Sequence, residues 1–132
     1  MTENQRLAII IESEGYEKSH IASMIASVAA VSGIKVSVFI TMNAVDNYLK
    51  ENVEKKNFTG GRVYRKIKEK KAQMFYELFE QAKMLGELKI YVCSFVMDIL
   101  EIKKDDLIDI IDDNLGLTAF LNIMDGAETI TF

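Results

Sequence analysis

The chain has 132 residues, 49% hydrophobic and 27% charged, with one cysteine, one histidine, no proline and a net charge of −4. That length supports one core, so a single domain over residues 1–132 is expected, and the composition excludes disordered, collagen-like and low-complexity classes. A lone cysteine cannot close an intrachain disulfide, and with one histidine it cannot supply a Cys/His zinc cage. Phosphate-backbone binding depends on basic residues releasing counterions, so the acidic balance argues against a nucleic-acid partner. The polar start, Met1 to Arg6, has no signal-type apolar region, and Ile21 to Ile34 is too short and too serine-rich to span a bilayer. A soluble cytoplasmic protein with no membrane contact is expected.

Leu7 to Ile11 is a continuous apolar run rich in β-branched residues, which predicts a strand buried on both faces, followed by the polar loop Glu12-Ser13-Glu14-Gly15. From Glu17, Ile21, Met24, Ile25, Val28 and Val31 recur at three- and four-residue spacing. This predicts a helix whose Ala22, Ala26, Ala29 and Ala30 allow close approach to a sheet, stopping at Gly33 as the residue after the cap. Ile34 to Met42 predicts a second strand and Asn43 to Leu49 a short helix. Glu51 to Gly61 has no periodicity and is expected to be an exposed loop. Arg62 to Leu85 reads as one helix, basic in its first half, that packs on the sheet through Met74, Phe75, Leu78, Phe79, Ala82 and Leu85 and ends at Gly86. Leu88 to Cys93 predicts strand three and Ser94 to Leu100 a helix. A short strand is expected around Leu107 to Ile111, a helix over Gly116 to Met124 and a last strand over Ala127 to Phe132.

Helices alternating with near-continuous apolar strands imply right-handed crossovers and a parallel sheet covered on both faces, a three-layer α/β/α sandwich. Ligands in such folds collect beyond the carboxyl ends of the strands, which selects Ser13 to Gly15, Thr41 to Asn43, and Cys93-Ser94. Cys93 stands where a strand hands over to a helix, near unpaired N–H groups and the positive end of a helix dipole. That placement stabilises a thiolate, the nucleophilic and sulfur-carrying form. The Ser94 hydroxyl is the first supporting candidate, with Ser13, Gly15, Thr41 and Asn43 behind it. His20 has no second histidine or nearby cysteine and is expected at the surface or an interface. Asp105, Asp106, Asp109, Asp112 and Asp113 lack EF-hand spacing and read as a solvated acidic loop. Met24, Met74, Met84 and Met124 read as packing residues, and no cofactor or metal is expected. Charge is unevenly placed: Lys50 to Lys71 carries nine basic and three acidic residues, while Asp98 to Glu128 is net −7.

The segment Tyr91 to Asp109 holds a strand-end cysteine, Met97 in the following helix, and the turn Ile102-Lys103-Lys104-Asp105-Asp106-Leu107-Ile108. It resembles a segment of the DsrE/DsrF-like family. Gly116 to Met124 and Ala127 to Phe132 are similar to that family's glycine-led last helix and final strand. Ala8 to Thr41 is similar to its opening strand, alanine-rich helix and second strand; Asn43 to Lys71 matches poorly. The resemblance implies a five-stranded parallel sheet, homo- or hetero-oligomeric assembly, and a persulfide or other sulfane-sulfur adduct on the cysteine, passed between donor and acceptor proteins. Cys93 is the one residue it carries over as a catalytic or carrier position.

The leading expectation is thus a homo-oligomeric sulfur-relay protein that carries sulfane sulfur on Cys93. Its rival is a non-catalytic homo-oligomeric binding module that docks through the basic Lys50 to Lys71 region and the acidic C-terminal region. A peroxide-reactive thiol protein is the third, and with no resolving cysteine in the chain it needs an external thiol.

Overall fold

In the computed structural model, which describes residues 5–132, three six-residue strands make the centre of the sheet: β1 (Arg6–Ile11), β2 (Lys35–Ile40) and β3 (Leu88–Cys93). The short strands β4 (Asp113–Leu115) and β5 (Glu128–Thr131) form its edges, in the order β4-β3-β2-β1-β5 with every pair parallel. Ile9, Ile11, Val38, Ile40, Ile90 and Val92 are completely buried. They stand at alternate positions in register, Ile9–Val38–Ile90 and Ile11–Ile40–Val92, and so line one face of the sheet.

Six α-helices surround the sheet: α1 (Tyr16–Val31), α2 (Lys50–Lys55), α3 (Arg62–Glu69), α4 (Phe75–Leu85), α5 (Ser94–Ile99) and α6 (Leu117–Met124). A 3-10 segment, Met42–Tyr48, follows β2. The β1-α1-β2 and β4-α6-β5 crossovers run in opposite directions across the sheet, so right-handed connections put α1 and α6 on opposite faces. Phe120 of α6 stacks on Phe39 and meets Tyr91 edge-on, which fixes the face to which the alternating side chains Phe39 and Tyr91 point. The expected three-layer α/β/α fold with five parallel strands is the one observed.

Four local expectations are corrected. The solvent face of α1, not its inner face, carries Ile21, Met24, Val28 and Val31, while Ser19, Ala22, Ser23, Ala26, Ala29 and Ala30 are buried. Small residues win the inner face because α1 lies close against both the sheet and α4, where Ser27 Oγ donates to the Leu78 carbonyl at 3.2 Å. Met24 and Met84 are accordingly exposed rather than packed, as is Leu85. The expected loop from Glu51 begins as α2, and only the stretch after it is irregular. The expected strand around Leu107 to Ile111 is absent; Leu107 makes a single antiparallel bridge to Leu49, and the strand forms at Asp113–Leu115. Asp-Asn-Leu has poor strand propensity, so its place in the sheet comes from register against β3.

The expected single helix over Arg62 to Leu85 breaks into α3 and α4. At the break Lys71 lies in the left-handed region, and the Lys71 and Ala72 N–H groups donate to the Lys68 and Ile67 carbonyls at 3.1 and 3.0 Å. This is a Schellman ending, which Gly33 provides for α1 as expected, and which Lys56 and Glu101 provide for α2 and α5. A lysine gives no sequence signal for such a turn. Because an L side chain is strained there, Lys71→Gly is expected to raise stability by about 0.5–1 kcal/mol in urea unfolding, the strain relieved exceeding glycine's added unfolded-state entropy.

Both new helices are gathered by Tyr16. Its ring lies 4.4 Å from that of Tyr64 and 5.5 Å from that of Phe75, and its hydroxyl accepts the Phe75 N–H at 3.1 Å. The Tyr16 N–H in turn donates to the Thr59 carbonyl at 2.8 Å, and the Glu17 carboxylate accepts the Gly61 and Tyr64 N–H groups at 2.8 and 3.1 Å. Glu17 therefore caps α3 from another helix and holds the 56–61 loop at the start of α1.

Candidate functional site

Cys93 is the last residue of β3 and the cap residue of α5, and it is 6% exposed. The pairing of Cys93 with Leu115 sets it beside β4, and the Ile40–Val92 pairing puts Thr41 level with it on the other side. The single thiol therefore sits at the carboxyl edge of the sheet, between the ends of β4 and β2. Its sulfur makes no capping hydrogen bond to the first turn of α5.

Ser94 is the first helical residue, and its hydroxyl accepts a hydrogen bond from Asn114 Nδ2 at 2.8 Å. That contact ties α5 to β4 and orients the residue next to the thiol. Asn114 was not singled out from the sequence; its register opposite Val92 brings it to the site, and the only local signal was its position just before Leu115-Gly116. Met42, inside the selected Thr41 to Asn43 stretch, follows Thr41 with φ near +49°, a strained conformation for methionine that turns the chain at the end of β2.

The remaining sequence candidates divide by strand. Thr41 is buried at the end of β2, its N–H donating to the Ile11 carbonyl at 2.9 Å and its carbonyl accepting from Ala44, while Asn43 is exposed in the 3-10 segment. Ser13 and Gly15 follow β1, two strands or about 10 Å from the end of β3. The Ser13 N–H points to the Phe132 carbonyl, so these residues belong to the β1–β5 side of the sheet. Gly15 has φ −57°, and a Cβ there would meet only Lys18 at 4.0 Å, so nothing in the backbone calls for glycine. The sheet brings Ser94 and Thr41 to Cys93 and leaves Ser13 and Gly15 apart. The 56–61 loop, fastened to α1, is likewise over the β1 side.

Around the buried thiol the surface is apolar. Met42, Phe95, Leu117 and Leu121 are each at least half exposed and belong to the elements that begin at the ends of β2, β3 and β4. Tyr91, two residues before Cys93 on the same side of the strand, has its hydroxyl pKa raised by burial and by the negative charges of Asp112 and Asp113, so it stays a neutral phenol.

Other titratable residues do structural work away from Cys93. His20 Nδ1 lies 3.0 Å from the Tyr16 hydroxyl, and burial lowers its pKa against the opposing pull of Glu17. Burial works against the Glu17 charge, yet the backbone donors of Tyr64 and Gly61, with Arg65 nearby, keep its pKa below the ordinary value. Asp112 is not part of a solvated loop: it is half-buried, ion-paired with Lys83, and accepts the Ile90 N–H at 2.8 Å. No cluster of three or more His, Cys, Asp or Glu suited to a metal ion occurs among the described residues. A cavity of about 430 Å3 opens at the opposite, amino end of the strands, where Arg6 donates to the Asp125 carbonyl, Lys35 faces Glu87 at 3.9 Å and Lys83 holds Asp112. Its cations are largely occupied with the protein's own groups. No helix among the described residues is long and apolar enough to cross a membrane.

Comparison with known proteins extends the same picture. The ychN protein from E. coli has a similar structure, with a TM-score of 0.66 at 15% identity over 97% of this chain and 99% of that one. A protein of unknown function from Methanobacterium thermoautotrophicum, MTH1491, is similar with a TM-score of 0.59 at 14% identity, covering 98% of this chain and 100% of that one. At such identities the likeness is one of fold. No curated protein matches the sequence. The model of the DsrE/DsrF-like family matches residues 5–132, nearly the whole chain with the Cys93 segment inside it, and the chain belongs to that family.

Proposed function

We propose that the protein is a cytoplasmic sulfur-relay component that carries sulfane sulfur on Cys93, as a persulfide or thiosulfonate, between a donor and an acceptor protein, and that it works as a homo-oligomer. The observation that carries this reading is the position of the chain's only cysteine, at the end of β3 and the start of α5 beneath an exposed apolar surface, in a DsrE/DsrF-like chain. In the loading step the Cys93 thiolate attacks the outer sulfur of a donor persulfide R–S–SH. The Sγ–S bond forms, the donor S–S bond breaks, and its electron pair leaves with R–S⁻, so no external oxidant is consumed. Unloading is the same exchange, with an acceptor thiolate attacking the outer sulfur. Burial restricts the thiol to reagents brought through the Met42, Phe95, Leu117 and Leu121 surface, which suits delivery by a docked protein. In this reading Ser94, whose hydroxyl is held by Asn114, steadies the outer sulfur and Thr41 is a second candidate, while Asn43, Ser13 and Gly15 are peripheral.

Intact mass after incubation with a persulfide donor is expected to show a gain of about 32 mass units per sulfur, removed by reductant and absent in Cys93→Ser. A wild-type chain that gains nothing from persulfide, thiosulfate or tetrathionate, or a Cys93→Ser chain that gains as much, overturns the proposal. The binding-module alternative draws on Arg62, Arg65, Lys66, Lys68, Lys70 and Lys71, all exposed on or just after α3. An inert Cys93 would leave that alternative in the lead.

A further inference from the structure

The face of α1 turned to solvent is apolar along its length from Ile21 to Val31. From Ile21 to Ile34 the sequence contains no charged residue, although this stretch forms most of an exterior helix. Its inner side is alanine and serine, and its larger aliphatic side chains point outwards: Ile21, Met24, Val28 and Val31 are 39%, 48%, 66% and 61% exposed. A surface helix normally shows the reverse distribution. Leu85, at the end of the adjacent α4, extends the same patch. Val31 and Leu85 also line a shallow cavity of about 390 Å3 with Gly33 and Ile34.

We infer that this face is the two-fold interface between two copies of the chain, with the α1 helices packed antiparallel about an axis level with Ala26. This gives the homo-oligomer of the preceding section its contact surface, and it rests on that part of the proposal alone, not on the chemistry of Cys93. The spacing of Ile21, Met24, Val28 and Val31 is three, four, three, the apolar seam by which helices pair. The same spacing results when it is read backwards, as an isologous two-fold contact demands. Antiparallel pairing then sets Met24 against Val28 of the second copy and Ile21 against Val31. It also directs Ile21 of each copy into the shallow cavity between Val31 and Leu85 of the other. One turn before Ile21, Lys18 falls opposite position 34, beside Glu87, which lines that same cavity together with Lys35 and is paired with Lys35 only through a long, exposed contact of 3.9 Å. Lys18 is exposed and makes no ion pair among the described residues, so at the rim of the contact it meets a carboxylate shared with one other cation, Lys35. Ile21, Met24, Val28, Val31 and Leu85 expose on the order of 500 Å2 per copy, so pairing them removes up to roughly 1,000 Å2 from water, the size at which an interface becomes specific.

The experiment is sedimentation equilibrium of the full chain, with far-UV circular dichroism to check folding. Wild type is expected to form dimers or multiples of dimers. Met24→Glu with Val28→Glu should weaken association by at least about a hundredfold. Lys18→Glu should weaken it by about tenfold, and adding Glu87→Lys should restore it. The rim pair decides the matter if the double glutamate variant does not fold, because both of its positions are exposed. A monomeric wild type at about 100 μM overturns both this inference and the homo-oligomeric part of the proposed function. An oligomer whose mass is untouched by the α1 and Lys18 substitutions overturns the choice of face alone.

Discussion

Phe120→Ala is expected to cost about 3–5 kcal/mol of unfolding free energy, among the largest effects of any single truncation in this chain. Phe120 is the one fully buried residue of α6, stacked on Phe39 with ring centroids 4.4 Å apart and meeting Tyr91 edge-on at 6.5 Å. The other large side chains of α6 are exposed or half-buried, so no second anchor compensates for the ring. Two consequences distinguish this from an ordinary core deletion. The helix carries Leu117 and Leu121 beside Cys93, and it leads directly into β5. Denaturant unfolding should therefore show the full loss, and the alkylation rate of Cys93 under native conditions should rise because the surface above the thiol loosens. A loss below about 1 kcal/mol would show that α6 is held by something other than this aromatic contact.

Gly86→Ala is expected to be nearly as damaging, for a steric reason. Gly86 ends α4 with φ −161°, an extended conformation open to any residue, so conformational preference does not require glycine. A Cβ at this position would instead lie 2.3 Å from the Ala30 carbonyl oxygen and 2.9 Å from the Ala30 Cβ. The clash is with the backbone of the last turn of α1, which cannot swing aside as a long side chain can. The α1–α4 contact must open to admit the methyl group, and the cost should reach about 3 kcal/mol, the upper end of the range for overpacking. Gly33→Ala provides the contrast. Gly33 has φ +86° and open space around the missing Cβ, so its substitution should cost only about 1 kcal/mol of left-handed strain. Urea midpoints of the two variants test the distinction, and equal losses would remove the steric account of Gly86.

The candidate site was legible at one residue and incomplete around it. Cys93 could be found because a mostly apolar, strand-like run ends on it and a helical segment starts immediately after, both local signals. Its neighbour Asn114 could not, because a polar residue in a three-residue edge strand leaves no periodic trace; only the register of β4 against β3 carries it to Ser94. Ser13 and Gly15 illustrate the opposite case. They stand at the end of a strand, as the rule for parallel sheets requires, yet the strand order leaves β2 between them and Cys93. Strand order is a global property, and the local pattern at the end of β1 does not contain it. Asp112 changes character in the same way: a residue in an acidic run becomes the partner of Lys83 and of the Ile90 N–H once β3 and α4 are placed together.

By itself the sequence determined the alternation of strands and helices, the parallel sheet, the three layers and the strand-end cysteine. These follow from short-range hydrophobic periodicity and from a resemblance carried largely by one segment. Only the tertiary structure decided where the long basic and amphipathic stretch breaks, since Lys71 adopts a turn usually signalled by glycine and the two halves then converge on Tyr16. It also decided which side of α1 faces inwards. Periodicity shows that large and small residues occupy different sides of a helix, but the inner side is set by the space available. Between this sheet and α4 that space admits alanine and serine, leaving Ile21, Met24, Val28 and Val31 on the outside.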